Sequence, residues 1–339
     1  MTMLMRRALR VTGFCGAVLV LLAGCDRDAY QRMRGNTMGT YYALTMRCPQ
    51  PIASSDIEGV LDAVNAAMST YLPTSELSRF NDSDSTDWFE VSEPLARLVA
   101  LAGELSRQSD GAFDVTVGPL VNLWGFGPGK QTGFPDSVAL EHARSVVGYQ
   151  HVEARIQPGA LRKDEARVYV DLSAIAKGYG VDRLLDMLVR AQCTDAMVDI
   201  GGEVAVRGIS PSGKSWRIGI EVPDGSSTVQ RVLELDDRAV ATSGDYRNFI
   251  ERDGVRVSHT IDARTGWPVN HDLASVSVVM PDAALADGYA TLLHVLGPED
   301  GMAFARERGI PALLLLRRAQ GFEERYTPSL ESYLVNATP

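Results

Sequence analysis

The sequence predicts an α+β protein, built as a single two-lobed catalytic unit with mixed sheets and interleaved helices. Three observations point there. Apolar residues in the first third recur at the 3.6-residue spacing of amphipathic helices, short β-branched or alternating segments crowd together from position 168 onward, and no long Pro-, Gly- or Ser-rich linker divides the two regions. The 339 residues, 45% hydrophobic and 22% charged, suffice for one large unit or two modest domains, and their composition excludes disorder, collagen and a disulfide-stapled miniprotein.

The N-terminus is a segment of its own. Arg6, Arg7 and Arg10 precede the uncharged apolar run Val11–Ala23, so residues 1–24 read as a signal peptide. The run is shorter than the ~20 residues a bilayer-spanning helix needs. Leu22-Ala23-Gly24-Cys25 matches a bacterial lipobox, in which small residues fit the signal peptidase and the Cys25 sulfur receives a diacylglycerol. Residues 25–36, polar apart from Tyr30 and Met33, read as lipidated N-terminus and tether, at most roughly 40 Å long when extended. Residues 37–339 are then the catalytic domain. Asp26 resembles the inner-membrane retention signal of enterobacterial lipoproteins, so the expected location is the periplasmic side of the cell inner membrane, lipid-anchored. The chain carries 43 Asp plus Glu against 33 Lys plus Arg, and loss of the leader makes it more acidic, which argues against nucleic acid as a partner. An oxidising compartment permits a disulfide between Cys48 and Cys193, but two buried thiols fit the sequence equally well.

Taken in order, Ser55-Asp56-Ile57-Glu58 is a capping box that opens a helix with apolar positions 57, 60, 61, 64 and 68 on one face. A second helix spans Ser92 to Ser106, with Gly111 beyond its end. Strands are expected at Val168–Val170, Ala196–Ile200, Trp216–Val222, Ala239–Thr242 and Leu273–Met280, and helices at Ser173–Ala191 and Asp282–Leu296. Gly208 to Ser215 fits the P-loop expression, yet Trp216, Ile218, Ile220 and Val222 alternate after it as a strand. A P-loop must open a helix, so this segment reads as a hairpin turn. Gly125-Phe126-Gly127-Pro128-Gly129 imitates a dinucleotide fingerprint without its strand-then-helix frame and reads as a loop.

Three places carry chemistry. In Val168 to Tyr179 a strand ends in Asp171 and a helix follows at once. Asp171 and Ser173 read locally as caps, but Lys177 opposes the helix dipole unless an anion such as phosphate is near. Asp287 and Thr291, spaced i and i+4 on an otherwise apolar helix, offer two hard oxygen donors to a magnesium ion; locally they also fit a back-bonded Thr and an Asp near a helix start. His259, Asp262 and Arg264 sit where a strand runs into a turn, and His259 is the candidate general base because its ordinary pKa is about 6.5.

These pieces form a larger pattern. Thr37-Met38-Gly39-Thr40, Ser69-Thr70-Tyr71 with Ser75 to Asn81, Gly111 to Leu120 continuing through Trp124-Gly125-Phe126-Gly127, Asp171 to Tyr179, Asp199-Ile200-Gly201-Gly202-Glu203, Ala241-Thr242-Ser243-Gly244, the His259 segment, and Ala286-Asp287 with Thr291 occur in that order. In this the chain resembles the ApbE family, the FAD:protein FMN transferases. The resemblance implies that Met38, Tyr71, Ala112, Phe113, Asp114, Asp171, Lys177 and Ile261 contact FAD. It also implies that Mg2+ is held by the Ala174 main-chain carbonyl, the Asp287 carboxylate and the Thr291 hydroxyl. The implied activity is magnesium-dependent transfer of FMN from FAD to a threonine hydroxyl of a partner protein, releasing AMP; the acceptor would be a membrane redox subunit or a periplasmic flavoprotein. Two other activities fit the same residues: a periplasmic FAD pyrophosphatase, and a non-catalytic FAD-binding lipoprotein.

Overall fold

The computed structural model describes residues 30–127, 134–245, 249–252 and 255–335. The leader, Cys25 and Asp26 lie outside them. The chain enters the fold earlier than its polar composition suggests. β1 (Gln31–Thr37) pairs with β2 (Thr40–Arg47) from Gln31↔Met46 to Thr37↔Thr40, so the second half of the expected tether is a strand. Its composition concealed a period of two, with Arg32, Arg34 and Asn36 exposed and the residues between them turned inward. Tyr30 anchors the entry by donating its hydroxyl to the Ile209 carbonyl at 2.8 Å. Met38 and Gly39, with φ of 49° and 72°, form the two-residue turn that right-twisted strands favour.

α1 (Ser54–Met68) buries Ile57, Leu61, Val64 and Met68, as the spacing predicts. Its entry differs: the Asp56 carboxylate accepts from the Ala53 N–H at 3.3 Å, so Ala53 holds the cap position. α2 (Glu76–Asn81) is capped by Ser75 Oγ, which accepts from the Ser78 N–H at 2.9 Å. β3 (Phe89–Glu90) precedes α3 (Glu93–Gln108), which Ser92 caps. α4 (Gly118–Trp124) ends at Gly125, whose φ of 86° terminates the helix; this is the looplike start of the false dinucleotide fingerprint. α5 (Ser137–Arg144) leads into β4 (Val152–Arg155) and β5 (Ala160–Lys163).

Val168 and Val170 are buried, but the segment forms no strand. The Asn81 side chain takes the place of a neighbouring strand, donating to the Val170 carbonyl and accepting from its N–H, both at 2.8 Å. The next helix also starts later than expected: residues 173–175 form a turn, and α6 spans Ala176–Arg190.

The remaining strands are β6 (Asp195–Ile200), β7 (Glu203–Arg207), β8 (Trp216–Glu221), β9 (Val229–Leu235), β10 (Ala239–Gly244), β11 (Phe249–Arg252), β12 (Val255–Ser258), β13 (Ile261–Asp262), β14 (Trp267–Pro268) and β15 (Leu273–Met280). After α7 (Ala283–Glu307) come β16 (Ala312–Arg317) and β17 (Phe322–Tyr326). Eight strands form one sheet in the order β1-β2-β6-β7-β10-β15-β16-β17. Every pairing in it is antiparallel, which corrects the expectation of mixed sheets while keeping the α+β class. Residues 208–215 close on themselves through the Ser210 N–H to the Lys214 carbonyl at 2.7 Å, and the strand β8 follows. The segment is therefore a turn, as expected. It is not a hairpin, because β7 and β8 lie in different sheets.

One face of the large sheet carries α1, α6 and α7. Its apolar core continues without a break into α2 and α3, so the two expected lobes share one interior. On the opposite face the β8–β9 hairpin lays Trp216, Ile218, Ile220, Leu233 and Leu235 over Val204, Val240 and Val279. Cys48 and Cys193 form a disulfide beside the β2–β6 pairing, which decides the alternative left open by the sequence. α7 is interrupted at Gly297 (φ 81°, ψ −175°) before Pro298, so its first part matches the expected helix. Among the described residues no helix is long and apolar enough to cross a membrane.

A buried histidine pair makes the fold acid-sensitive. His294 is fully enclosed and packs edge-on against His271 at 5.5 Å, and the His271 Nε2 lies 2.9 Å from the His294 carbonyl. Burial, with His271 adding to it, pushes the His294 imidazole from 6.5 down to about 3. The unfolded chain therefore binds the proton that the native state refuses. This contribution is complete above pH 6.5 and declines as pH falls toward 3. Between pH 6.5 and 5 the loss is about 2 kcal/mol. Urea denaturation across that range should show it, and His294→Gln should flatten the dependence; an equally steep variant would acquit His294.

Candidate active site

The site is built where chain reversals meet the inward face of one helix. The β1–β2 turn, the segment after α1, the segment after α3, the turn before α6, the β12–β13 junction and α7 together enclose a cleft of about 1440 Å³. Met38, Tyr71, Ala112, Phe113, Asp114, Asp171, Ala174, Lys177, His259, Ile261, Asp287 and Thr291 all line it. Residues scattered over most of the chain are thus brought to one place.

Their roles within it differ. The positive φ at Met38 directs it toward α6, where its side chain fills space that a Cβ on Gly180 would contest. Tyr71 is 66% exposed and forms an open aromatic wall. Ala112 and Phe113 are buried beneath the surface. The Asp114 carboxylate is turned into the fold, accepting from the Thr116 N–H and hydroxyl and from the Tyr149 N–H at 2.6–2.7 Å. Burial raises its pKa against these bonds. Its carboxylate therefore holds the loop, and its main chain is what remains for a ligand. Asp171 likewise corrects the cap reading: its Oδ1 accepts from the Ser173 N–H at 2.8 Å and the Ser173 hydroxyl at 2.5 Å, which closes the turn ahead of α6.

The electrostatic centre is a three-residue cluster. Lys177 Nζ lies 3.0 Å from Glu203 Oε1 and 3.6 Å from Asp287 Oδ1, and both carboxylates are almost fully buried. The anion that the helix-dipole argument demanded is thus supplied by the protein itself. Close packing sets this geometry. A Cβ on Gly178 would clash with the Ala283 carbonyl, and the Gly178 N–H donates to Asp287 Oδ2 at 3.0 Å. Asp182 of α6 accepts from the Ala283 and Ala284 N–H groups at 2.8 and 2.9 Å, capping α7 from its neighbour. Burial raises the Asp287 pKa and pushes Glu203 up to about 7, with Lys177 opposing both. Burial disfavours the Lys177 charge, but Asp287 and Glu203 outweigh it and hold the ammonium above its usual range.

One turn along α7, the Thr291 hydroxyl is 2.9 Å from Ser243 Oγ at the end of β10. Asp287, Thr291, Ser243 and Ala174 all line the cleft and offer hard oxygen donors to it, with Thr291 and Ser243 in direct contact. Among the described residues no three His, Cys, Asp or Glu side chains gather as an all-protein metal cage. The set matches magnesium, which takes one or two carboxylates and completes its shell with water and substrate phosphates. The Glu203 Oε2 is buried without a hydrogen-bond partner, while its Oε1 is paired with Lys177. His259 also lines the cleft, edge-on to Phe126 at 6.3 Å. Asp262 and Arg264 pair with each other at 2.8 Å, so they build the turn and stay outside the cleft lining.

A family profile for the ApbE family matches residues 38–314, which include every one of these residues. The chain belongs to the ApbE family. It is 44% identical over 326 residues to an FAD:protein FMN transferase of Vibrio cholerae, covering 94% of this chain and 97% of the relative. A Klebsiella pneumoniae protein of the same name is 36% identical over 344 residues, covering 96% and 98%. Among solved structures, the ApbE flavin transferase of Vibrio cholerae superposes with a TM-score of 0.83 at 42% identity, over 90% of this chain and 99% of that one. The apo flavinyl transferase ApbE of Pseudomonas stutzeri does so at 0.81 and 38%, over 90% and 97%. Against this ApbE background, Glu203 and Ser243 are the site residues that sequence reasoning passed over. Each lay inside a recognised block, and neither has a local pattern that predicts its contact with Lys177 or Thr291.

Proposed function

We propose that the chain acts as its relatives are named, as an FAD:protein FMN transferase, with magnesium as cofactor, a threonine hydroxyl as acceptor and AMP as leaving group. The observation that carries this reading is the convergence of the Lys177–Asp287–Glu203 cluster, the Thr291–Ser243 hydroxyl pair and the aromatic wall in one cleft. Asp287, Thr291 and the Ala174 carbonyl would hold the metal, which when bound neutralises charge on the phosphoanhydride. The threonine oxygen forms a bond to the FMN phosphorus, the anhydride P–O bond breaks, and AMP departs with the electron pair. Lys177 holds positive charge beside the phosphates, and His259 accepts the hydroxyl proton. Met38, Tyr71, Ala112, Phe113, Asp114, Asp171 and Ile261 shape the FAD side of the cleft. The signal peptide, Cys25 and Asp26 would tether the enzyme to the periplasmic side of the inner membrane. The Cys48–Cys193 disulfide agrees with an oxidising compartment.

The test incubates the protein with FAD, magnesium and fractions of a source strain lacking this chain, then reads intact and peptide masses. An FMN-sized adduct on threonine, lost on chelation of the metal, is expected; AMP released with no adduct would leave hydrolysis as the activity. His259→Ala should retain FAD affinity while transfer slows about 100- to 10,000-fold, the usual worth of a positioned base. Equal rates for variant and parent would move the base elsewhere.

A further inference from the structure

The cleft has a second arm that none of the residues assigned to FAD occupies. β7 and β10 pair only at Ala205↔Ala239 and Val204↔Val240, after which β10 continues to Gly244 without β7 beside it. The large sheet is notched there. Along β10, Ser243 faces α7 and bonds Thr291, whereas Val240 belongs to the core on the opposite face and Thr242 bonds Ser277. All three line the cleft, so it passes through the notch to the β8 side of the sheet.

There the cleft runs along β8. It touches every residue from Arg217 to Glu221. Successive side chains of a strand point to opposite faces, so a cavity touching five in a row abuts the strand's edge. β8 pairs with β9 on one side, and among the described residues no strand pairs with the other. At the middle of the strand stands Gly219, where a Cβ would press on the Val229 side chain of β9, so the glycine serves the hairpin. A strand edge that, as here among the described residues, has no neighbouring strand takes an extended peptide as an added strand.

We propose that this second arm receives the acceptor protein, as an extended segment laid along the open edge of β8 whose hydroxyl residue passes through the notch to the Lys177–Asp287 corner. The proposal rests on the transferase reading and deepens it. FAD and acceptor enter from opposite faces of the large sheet and meet at the reacting phosphorus. An in-line displacement sets the attacking and leaving oxygens on opposite sides of the phosphorus, and entry from opposite faces satisfies that geometry.

Thr242→Phe places a ring in the second arm. With the full chain, FAD, magnesium and fractions of a source strain lacking this protein, covalent flavin is read as in-gel fluorescence, and FAD affinity by quenching of free flavin. The variant should lose at least tenfold in flavin transfer while FAD affinity stays within twofold. Transfer at the parental rate overturns the proposal, and so does a parallel loss of FAD affinity, which would assign the arm to FAD. No labelled band with the parent protein would instead defeat the transferase reading itself. A photo-crosslinking residue at position 217 is independent of how Thr242→Phe folds. Capture of the band that becomes flavinylated is expected, and active enzyme that captures nothing overturns the assignment.

Discussion

Asp287→Ala should lower FMN transfer about a thousandfold, a loss of about 4 kcal/mol of transition-state stabilisation. Asp287 is the carboxylate that α7 presents to the cleft, and Ala290, one turn from Ala286 and 0% exposed, packs into the core and offers no oxygen. The substitution also removes the acceptor for the Gly178 N–H and one of the two carboxylates facing Lys177. A purely structural role is separated by Asp287→Asn, which keeps an oxygen for Gly178 and the volume of the side chain while deleting the charge. The Asn variant should melt close to the parent yet fail to transfer FMN and bind magnesium at least tenfold more weakly by calorimetry. A fully active Asn variant would show that the carboxylate serves only to pin α6 against α7.

Lys177→Met should destabilise the protein by about 3 kcal/mol at pH 8, and the loss should shrink on acidification. Lys177 is 31% exposed, but Glu203 and Asp287 are 4% and 3% exposed, and without the ammonium two buried anions face each other. Both carboxylates already have raised pKa values through burial, and deleting the opposing cation raises them further. The variant's native state therefore binds more protons than its unfolded chain, so its stability falls as pH rises through the raised pKa values. As the pH falls and the carboxyls take up protons, the difference between parent and variant should narrow. Adding Glu203→Gln should recover part of the loss at pH 8, and a double-mutant cycle reads the coupling. A pH-independent deficit would place the effect in packing of the Lys177 stem instead of charge.

Much of the secondary structure was legible because it rests on local periodicity. The apolar stripe of α1, the span of α3 and the Leu273–Met280 strand match their predicted positions closely. The misses have physical causes. Val168–Val170 has strand composition but spends its hydrogen bonds on the Asn81 side chain, a partner 89 residues away in sequence. Gln31–Thr37 looked like linker because charged residues occupy its solvent face, and its pairing partner decides that it is a strand. The α6 start was misplaced because Asp171 closes a turn and caps nothing.

What the sequence determined by itself is the inventory: the fold class, most elements, and residues of the right chemistry in the order that marks the ApbE family. Tertiary structure decided how that chemistry is arranged. It turned the Asp114 carboxylate inward, joined Cys48 to Cys193, and set Lys177 between Glu203 and Asp287, with Ser243 beside Thr291. The reason is the range of the forces involved. Helix and strand periodicity are written over a few neighbouring residues. A buried charge finds its partner only through close approach of distant segments, and here the absence of a side chain at Gly178 permits α6 to meet α7.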